Sequence, residues 1–89
     1  MAGSLSVSLV AADREVWTGA ASMVVAKTTI GEIGLLPGHE PVLALLAEDG
    51  QIRVTTEAAK LAFDAVGGGF LSMEHDVVTV VVRDAVQVS

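Results

Sequence analysis

The chain of 89 residues contains no cysteine. This absence excludes a disulfide framework, a thiolate nucleophile and a cysteine-based zinc site. Basic residues are also scarce, because five Lys and Arg face eleven Asp and Glu, which gives a net charge of −6. The five bases occur singly, at Arg14, Lys27, Arg53, Lys60 and Arg83. Since binding to phosphates or anionic lipids requires several basic groups on one face, neither nucleic acid nor a membrane surface is an expected partner.

Long hydrophobic runs are absent, although 52% of the residues are hydrophobic and the mean hydropathy is +0.62. No apolar stretch approaches the ~20 residues that a membrane-spanning helix needs, so direct insertion into a membrane is not expected. The first five residues lack the basic and then apolar pattern of a signal peptide. The length predicts a single domain over residues 1–89, and we expect it to be cytoplasmic.

The apolar residues are arranged as strands. Apolar and polar side chains alternate in residues 5–9, 52–57 and 61–65, which is the period of a strand with one wet face. Val77–Val82 is apolar at five of six positions, which predicts a strand covered on both faces. Turn signals separate these short runs throughout the chain. The pattern therefore predicts an all-β sandwich with little or no helix.

Several segments carry more specific expectations. Residues 41–47 and 56–62 have some helical character, but we interpret both as strands because alternation continues through Phe63. Asp49-Gly50 between two apolar runs predicts a two-residue hairpin turn. The Gly67–Gly69 triplet predicts a bulge or a close backbone approach. Glu74–Asp76 predicts a solvated hairpin turn.

Residues for catalysis are missing. The two imidazoles, His39 and His75, have no recognisable nucleophile motif around them, and no Gly-x-Ser-x-Gly elbow is present. Glu74, His75 and Asp76 are contiguous, so they cannot all face one metal ion on a strand. The glycine triplet lacks the Gly-Lys-Ser/Thr of a phosphate-binding loop. We therefore expect no catalytic residue, no metal and no cofactor.

The most informative segment is residues 31–41. Three glycines and two prolines fix an unusual backbone path, and Gly34 is a candidate for a positive φ. Apolar side chains are interleaved with one carboxylate, Glu32, and one imidazole, His39. Such a rigid, partly apolar loop is a candidate contact surface.

This segment, from Thr29 to His39, resembles the signature loop of the epsilon subunit of rotary F-type ATP synthase. The opening from Val7 to Gly19 and the sequence Gly-Gly-Phe-Leu at 68–71 are similar to that family as well, in the same order. The resemblance implies a flattened ten-stranded β-sandwich in the foot of the central stalk, against the gamma subunit and on the polar loops of the c-ring. It also implies a non-catalytic role that couples proton flow to ATP synthesis, at the cytoplasmic face of the plasma membrane.

Carried over residue by residue, the resemblance implies a contact segment for the c-ring or the gamma subunit. Glu32 would be its charged residue, free to meet basic groups of the partner. Gly68 and Gly69 would shape the strand beside the gamma subunit. The contact segment comprises Gly31, Glu32, Ile33, Gly34, Leu35, Pro37, Gly38 and His39.

Two further expectations complete this interpretation. Members of the family commonly continue into a helical hairpin that inhibits ATP hydrolysis and in some members binds ATP. This sequence reaches only Ser89, where the sandwich would be complete, so neither property is carried over. The alternative is a free-standing β-sandwich module that binds a peptide or a carbohydrate, with Trp17 as a stacking platform instead of a core residue.

Overall fold

The computed structural model describes residues 3–89, and the first two residues of the predicted domain lie outside the described residues. The described part consists of eight strands connected by turns and contains no helix, as the sequence predicts. The strands are β1 (Leu5–Ala11), β2 (Arg14–Ala21), β3 (Met23–Thr28), β4 (Gly31–Leu35), β5 (Val42–Leu46), β6 (Gln51–Thr55), β7 (Lys60–Glu74) and β8 (Val77–Gln87).

Strands β7 and β8 are long enough to take part in both layers. In the first sheet, the order β2-β1-β8-β7-β5 uses the beginning of β8 and the end of β7. In the second sheet, β4, β3 and β6 continue onto the beginning of β7 and the end of β8. The pairing of β1 with β8 is parallel, and the other pairings are antiparallel.

The predicted number of ten strands is wrong, since the described residues form eight. Each layer nevertheless contains five strand segments, because β7 and β8 each contribute one segment to both layers. The molecule measures 37 × 26 × 20 Å, so the predicted flattened sandwich is confirmed.

The glycine triplet is the point at which β7 passes from one layer to the other. Gly67, Gly68 and Gly69 all have positive φ, and the register against β8 shifts between Val66 and Gly69. A Cβ atom at Gly69 would overlap the carbonyl oxygen of Val81 on the neighbouring strand. The prediction of a bulge with a close backbone approach is therefore confirmed.

The core lies between the two layers and is filled by the inward side of each alternating strand. Phe63 is the largest fully buried side chain, and branched aliphatic residues surround it. In the described residues, the buried polar residue is Thr28, whose hydroxyl donates to the carbonyl of Gly31 at 2.6 Å. The other large side chains with almost no exposure are Leu5, Leu9, Leu35, Ile52, Leu71 and Met73.

The two segments with some helical character have different outcomes. The interpretation of residues 41–47 as a strand is confirmed by β5. The interpretation of residues 56–62 as continuous strand is wrong in its first half, because Thr56 closes a turn with Ala59 through both backbone and hydroxyl bonds. A hydroxyl that satisfies backbone groups locally favours a turn over a strand.

The hairpin predicted at Asp49-Gly50 is also wrong. The turn exists, but β5 and β6 do not pair with each other, since each pairs with β3 and β7 instead. The backbone of Gly50 passes close to β3, because a Cβ atom there would lie 3.0 Å from the carbonyl oxygen of Lys27. The chain therefore uses this turn to change layers instead of reversing within one.

The expectation that Val77–Val82 is covered on both faces is wrong as well. Val78, Val80 and Val82 are buried, whereas Val77 is exposed and Val81 is half-buried. In a two-layer sandwich only one face of each sheet meets the core. The valines on the other face of β8 therefore belong to the surface.

Candidate functional site

The predicted contact segment begins as a strand, not as a loop. Gly31–Leu35 is β4, which pairs with β3 and lies at the edge of the second sheet. The tight turn before it is held by Thr28, whose hydroxyl accepts a hydrogen bond from the backbone of Ile30 at 3.2 Å. The Ile30 side chain at the tip of this turn is 97% exposed, and Gly31 has a φ of 129°.

The carboxylate of Glu32 is exposed, as expected, but it is not free. Its Oε2 atom accepts a hydrogen bond from Nη2 of Arg53 on β6 at 2.8 Å, in an ion pair across the outer face of the second sheet. Lys27 lies opposite Glu32 in the register of β3 and β4. Sequence reasoning missed this partner because Arg53 is 21 residues away and reaches Glu32 only after β3 has placed both strands side by side.

The middle of the contact segment faces inward. Leu35 is fully buried, and Ile33 packs against the core, so the side chains of both residues stabilise the sandwich. Gly34, a candidate for a positive φ, does not have one, and a Cβ atom there would contact nothing within 4 Å. The positive φ angles of the segment belong to Gly31 and Gly38 instead.

The end of the segment forms a turn over residues 36–39, which we call the contact turn. Pro37 occupies its second position and Gly38, with a φ of 85°, its third, and the amide of His39 donates to the carbonyl of Leu36 at 3.1 Å. This is the arrangement of a type II turn, for which proline and then glycine are favoured. The Nδ1 atom of His39 donates to the carbonyl of Glu40 at 2.7 Å, and the Leu36 side chain is half exposed.

A carboxylate from another part of the chain contacts this turn. The amide of Gly38 donates to Oδ1 of Asp76 at 2.7 Å, and the carbonyl of Asp76 accepts from the amide of Ser6 at 2.8 Å. Asp76 lies in the turn between β7 and β8, where it and His75 have φ angles of 62° and 52°. The predicted hairpin turn is therefore confirmed, but its contact with the segment was missed, because nothing in the sequence links positions 38 and 76.

The outward face of the first sheet is a second surface of interest, which we call the uncharged face. Leu43 and Leu45 on β5 are 75% and 65% exposed, and Phe70 beside Leu45 is 41% exposed. A row of apolar side chains continues from Leu45 through Phe70 to Val81 on β8. Around this row lie small hydroxyl and apolar residues: Ser6, Ser8, Val10, Thr18, Ser72, Val77 and Thr79. Two carboxylates, Glu15 opposite Val10 and Glu74 opposite Val77, lie at the margins of the sheet, outside the part that we call the uncharged face.

This face was not identified from the sequence, although one signal was available. Residues 42–46 of β5 are apolar without alternation, so their outward positions, at Leu43 and Leu45, are apolar too. The outward face of the second sheet differs, because it carries the pair of Glu32 with Arg53 and a hydrogen bond from Gln51 to Asp64 at 3.4 Å. The second sheet also exposes apolar side chains, at Met23, Val66 and Val86, but Leu43, Leu45 and Phe70 lie next to one another on the first sheet.

Three residues considered in the sequence contribute to the fold: Gly68, Gly69 and Trp17. Gly68 is buried and Gly69 half-buried, so they shape β7 through the backbone, directly before the exposed Phe70. Trp17 is half-buried and packs against the core, with its ring over the position that a Cβ atom of Gly19 would occupy, 2.8 Å away. The tryptophan therefore packs against the edge of the core, which does not support a stacking platform for a sugar or peptide.

A surface ion pair lies far from the contact turn in sequence. Arg14 donates to Asp84 and to Asp13, both at 3.0 Å. The hydrogen bond from Arg14 lowers the pKa of the Asp84 carboxyl below its usual value of 3.8, and the amide of Ala85 adds to the effect. Both side chains are about half exposed, so this pair joins β2 to β8 without forming a reactive site.

Within residues 3–89, no three His, Asp or Glu side chains converge as metal ligands. The same residues contain no helix that is long and apolar enough to cross a membrane. What the arrangement offers is contact surfaces: the exposed part of the contact segment and the uncharged face.

Comparison with known proteins gives consistent matches. The family model described as "ATP synthase, Delta/Epsilon chain, beta-sandwich domain" matches residues 4–88. The ATP synthase epsilon chain of Rhodococcus opacus (strain B4) is 47% identical over 81 residues, which is 91% of this chain and 66% of that protein. The epsilon chain of Streptomyces coelicolor is 53% identical over 72 residues, which cover 81% of this chain and 57% of that protein.

The share of each relative that is covered varies. This chain spans about two thirds or less of the Rhodococcus and Streptomyces proteins, whereas the match to the ATP synthase epsilon chain of Frankia casuarinae covers 94% of that protein at 44% identity.

Solved structures show the same fold. A chain in the structure of the Euglena gracilis mitochondrial ATP synthase, with OSCP, F1 and c-ring, superposes with a TM-score of 0.87 at 25% identity, over 94% of this chain and 53% of that one. A chain of the Tetrahymena thermophila mitochondrial ATP synthase central stalk and c-ring gives a TM-score of 0.78 at 15% identity, over 96% and 67%. The second likeness concerns the fold alone.

Proposed function

The chain belongs to the delta/epsilon-chain β-sandwich family of ATP synthases, and on this basis we propose that it is a non-catalytic rotor component of a proton-translocating F-type ATP synthase. In this role it links the gamma subunit of the central stalk to the membrane c-ring and couples proton flow to ATP synthesis. The complex is membrane-associated, and we place the chain at the cytoplasmic face of the plasma membrane.

The uncharged face is the observation that carries this proposal. The core of a protein–protein interface is depleted of charged residues and rich in apolar and aromatic side chains. Leu43, Leu45 and Phe70 meet this description, and they lie side by side on β5 and β7. Since exposed apolar patches mark interaction sites, we assign this face to the gamma subunit.

The contact segment supplies the second surface. Its exposed side chains are those of Glu32, near the beginning of β4, and of the contact turn, which follows the end of β4. A carboxylate is better suited to the polar loops of a c-ring than to an apolar partner. A preformed turn favours binding as well, because ordering a flexible loop on binding costs free energy. We assign this surface to the c-ring.

A mechanical role requires that force applied to one surface reaches the other. Strands β7 and β8 run through both layers, so the uncharged face and the second sheet share two continuous hydrogen-bonded strands. Close-packed interiors resist deformation, and the valine-rich core between the layers adds to this resistance. The domain is suited to transmit torque without performing chemistry.

The proposal is tested with matched charges on opposite faces. Leu45→Lys places an ammonium group on the uncharged face, and Val86→Lys places the same group on the outward face of the second sheet, where Val86 is 53% exposed and lies opposite Asp64. An unpaired charge buried at an interface is strongly unfavourable, so Leu45→Lys should weaken binding to the gamma subunit at least about tenfold. Val86→Lys should bind like the original chain.

The measurement is the dissociation constant for purified gamma subunit, with the melting temperature of each variant as the control for folding. Equal binding by both variants would contradict the assignment of the gamma subunit to the uncharged face. Failure of the original chain to bind either the gamma subunit or the c-ring would contradict the rotor function itself.

A further inference from the structure

We propose that Asp76 is a positioning residue for the contact turn: its carboxylate fixes the turn relative to the sandwich by accepting the hydrogen bond from the Gly38 amide. The inference deepens the proposed function, because it rests on the contact turn being a surface for the c-ring. Asp76 is not part of the contact segment and lies 38 positions after Gly38 in the chain.

The shape of the contact turn and its place on the domain have different origins. Pro37, Gly38 and the bond from the His39 amide to the Leu36 carbonyl determine the shape locally. None of these features connects the turn to the rest of the protein. Among the hydrogen bonds of residues 3–89 outside the sheets, the bond from Gly38 to Asp76 is the one that joins residues 36–39 to another element.

Asp76 is itself held firmly, which makes it an effective anchor. It occupies the two-residue turn between β7 and β8, the strand pair that runs through both layers. Its carbonyl also accepts the amide of Ser6, at the beginning of β1. The backbone of Asp76 is therefore tied to β1, β7 and β8 at one end of the first sheet. The distance of 2.7 Å between its Oδ1 atom and the Gly38 amide is typical of a bond to an ionised acceptor.

The backbone of Asp76 allows this bond to be removed without disturbing the turn. Its φ of 62° lies in the left-handed region, which glycine adopts without strain and asparagine tolerates well. Asp76→Gly deletes the acceptor and keeps the backbone conformation. Asp76→Asn keeps an oxygen acceptor in the same place and removes only the charge. Comparison of the two variants therefore separates the effect of the hydrogen bond from the effects of the backbone conformation and of the charge.

The first measurement is hydrogen exchange of the Gly38 amide, followed by NMR in the whole purified chain. Loss of an intramolecular hydrogen bond costs about 0.5–1.5 kcal/mol, so Asp76→Gly should exchange about two- to tenfold faster at Gly38. Asp76→Asn should stay within about twofold of the original chain. Both variants should retain the original protection of the core amides on β7 and β8.

The second measurement is affinity for purified c-ring. Asp76→Gly should bind less tightly, and Asp76→Asn should restore the affinity, at unchanged binding to the gamma subunit. Unchanged exchange at Gly38 in Asp76→Gly would overturn the inference directly.

One reference variant separates the inference from the function on which it rests. Gly38→Val forces a β-branched residue into a positive φ and should damage the contact turn itself. If Gly38→Val weakens c-ring binding and Asp76→Gly does not, the turn is the contact but Asp76 does not position it. If neither variant affects c-ring binding, the contact turn is not the ring-binding surface, and the inference fails with that assignment.

Discussion

At the scale of single residues, Phe63 and Phe70 show how position within one strand decides what an aromatic ring does. Phe63 is fully buried on β7, whereas Phe70 is 41% exposed seven residues later on the same strand. Phe63→Ala should therefore lower the free energy of unfolding by about 3–5 kcal/mol, through lost burial and a cavity. This is a large part of the ~5–15 kcal/mol available to an ordinary domain.

Phe70→Ala is the matched control for this prediction. Because its ring is largely on the surface, the loss should stay below about 1 kcal/mol, while binding to the gamma subunit should weaken. Denaturant unfolding monitored by the fluorescence of Trp17 measures the loss of stability in both variants. A similar loss of stability for the two variants would contradict the inward assignment of Phe63.

The pair of Glu32 with Arg53 raises a different question, because the carboxylate that we propose for the c-ring contact already has a partner within the domain. Glu32→Arg should weaken c-ring binding about two- to tenfold, since an exposed attraction of about 0.2–1 kcal/mol becomes a repulsion. Adding Arg53→Glu in the same chain restores the internal ion pair with its charges exchanged. If Glu32 faces basic groups of the c-ring, this double variant should regain melting temperature but not affinity.

The readout is the dissociation constant for the c-ring at low salt, with Arg53→Glu alone as the second reference. Recovery of full affinity in the double variant would mean that Glu32 acts only within the domain, by holding β4 against β6.

Sequence reasoning identified some of these residue roles and missed others for a physical reason. The burial of Phe63 follows from strand periodicity, which is a local property. The pairing of Glu32 with Arg53 and the bond from Gly38 to Asp76 depend on which strands become neighbours, and that is decided by the whole fold. The same holds for Gly34, whose ordinary φ follows from its place inside β4 rather than in a loop.

At the scale of elements, the crossing of β7 between the layers depends on Gly69. Its φ is 155°, and a Cβ atom would overlap the Val81 carbonyl and lie 2.8 Å from the Val82 Cα atom. Gly69→Ala should therefore disrupt the pairing of β7 with β8 and destabilise the domain by roughly 3 kcal/mol or more, because backbone atoms cannot move aside cheaply.

Gly34→Ala provides the comparison within the same chain. Gly34 has no positive φ and open space around its Cα atom, so a methyl group there should change the free energy of unfolding by less than about 1 kcal/mol. Thermal unfolding of Gly69→Ala and Gly34→Ala measures the two changes in stability. Equal stability would mean that the crossing relaxes easily and that β7 does not need glycine at this position.

The elements themselves were largely predictable, but their connections were not. Alternation identified β1, β6 and the beginning of β7, and the apolar runs at 41–47 and 77–82 were correctly interpreted as strands. The turn at Asp49-Gly50 was found, yet its strands do not pair, because β3 and β7 occupy the neighbouring positions. Turn chemistry specifies a change of direction, whereas the choice of sheet partner depends on which apolar faces must be covered.

At the scale of the whole molecule, the order of strands places the first strand beside the last. β8 lies between β1 and β7, and its parallel pairing with β1 brings residues 6–10 beside residues 77–81. The first sheet is therefore incomplete until the last strand is in place. With so many long-range pairings the domain should fold slowly for its size, because distant segments must meet before their contacts stabilise them.

The two proposed surfaces differ in charge, and this predicts different responses to salt. The uncharged face would bind the gamma subunit through Leu43, Leu45 and Phe70, and burial of apolar area is not screened by ions. The contact segment would bind the c-ring with help from the exposed carboxylate of Glu32, and attraction between exposed charges is screened over about 10 Å at 0.1 M salt.

Raising the salt concentration from about 0.05 M to about 0.5 M should therefore weaken c-ring binding severalfold and leave gamma binding within about twofold. The measurement is the affinity of the chain for each purified partner across this range, with Glu32→Gln as the reference, which should remove most of the salt dependence towards the c-ring. Strong salt dependence towards the gamma subunit, together with none towards the c-ring, would exchange the two assignments, because charged contacts would then lie at the stalk and apolar contacts at the membrane ring.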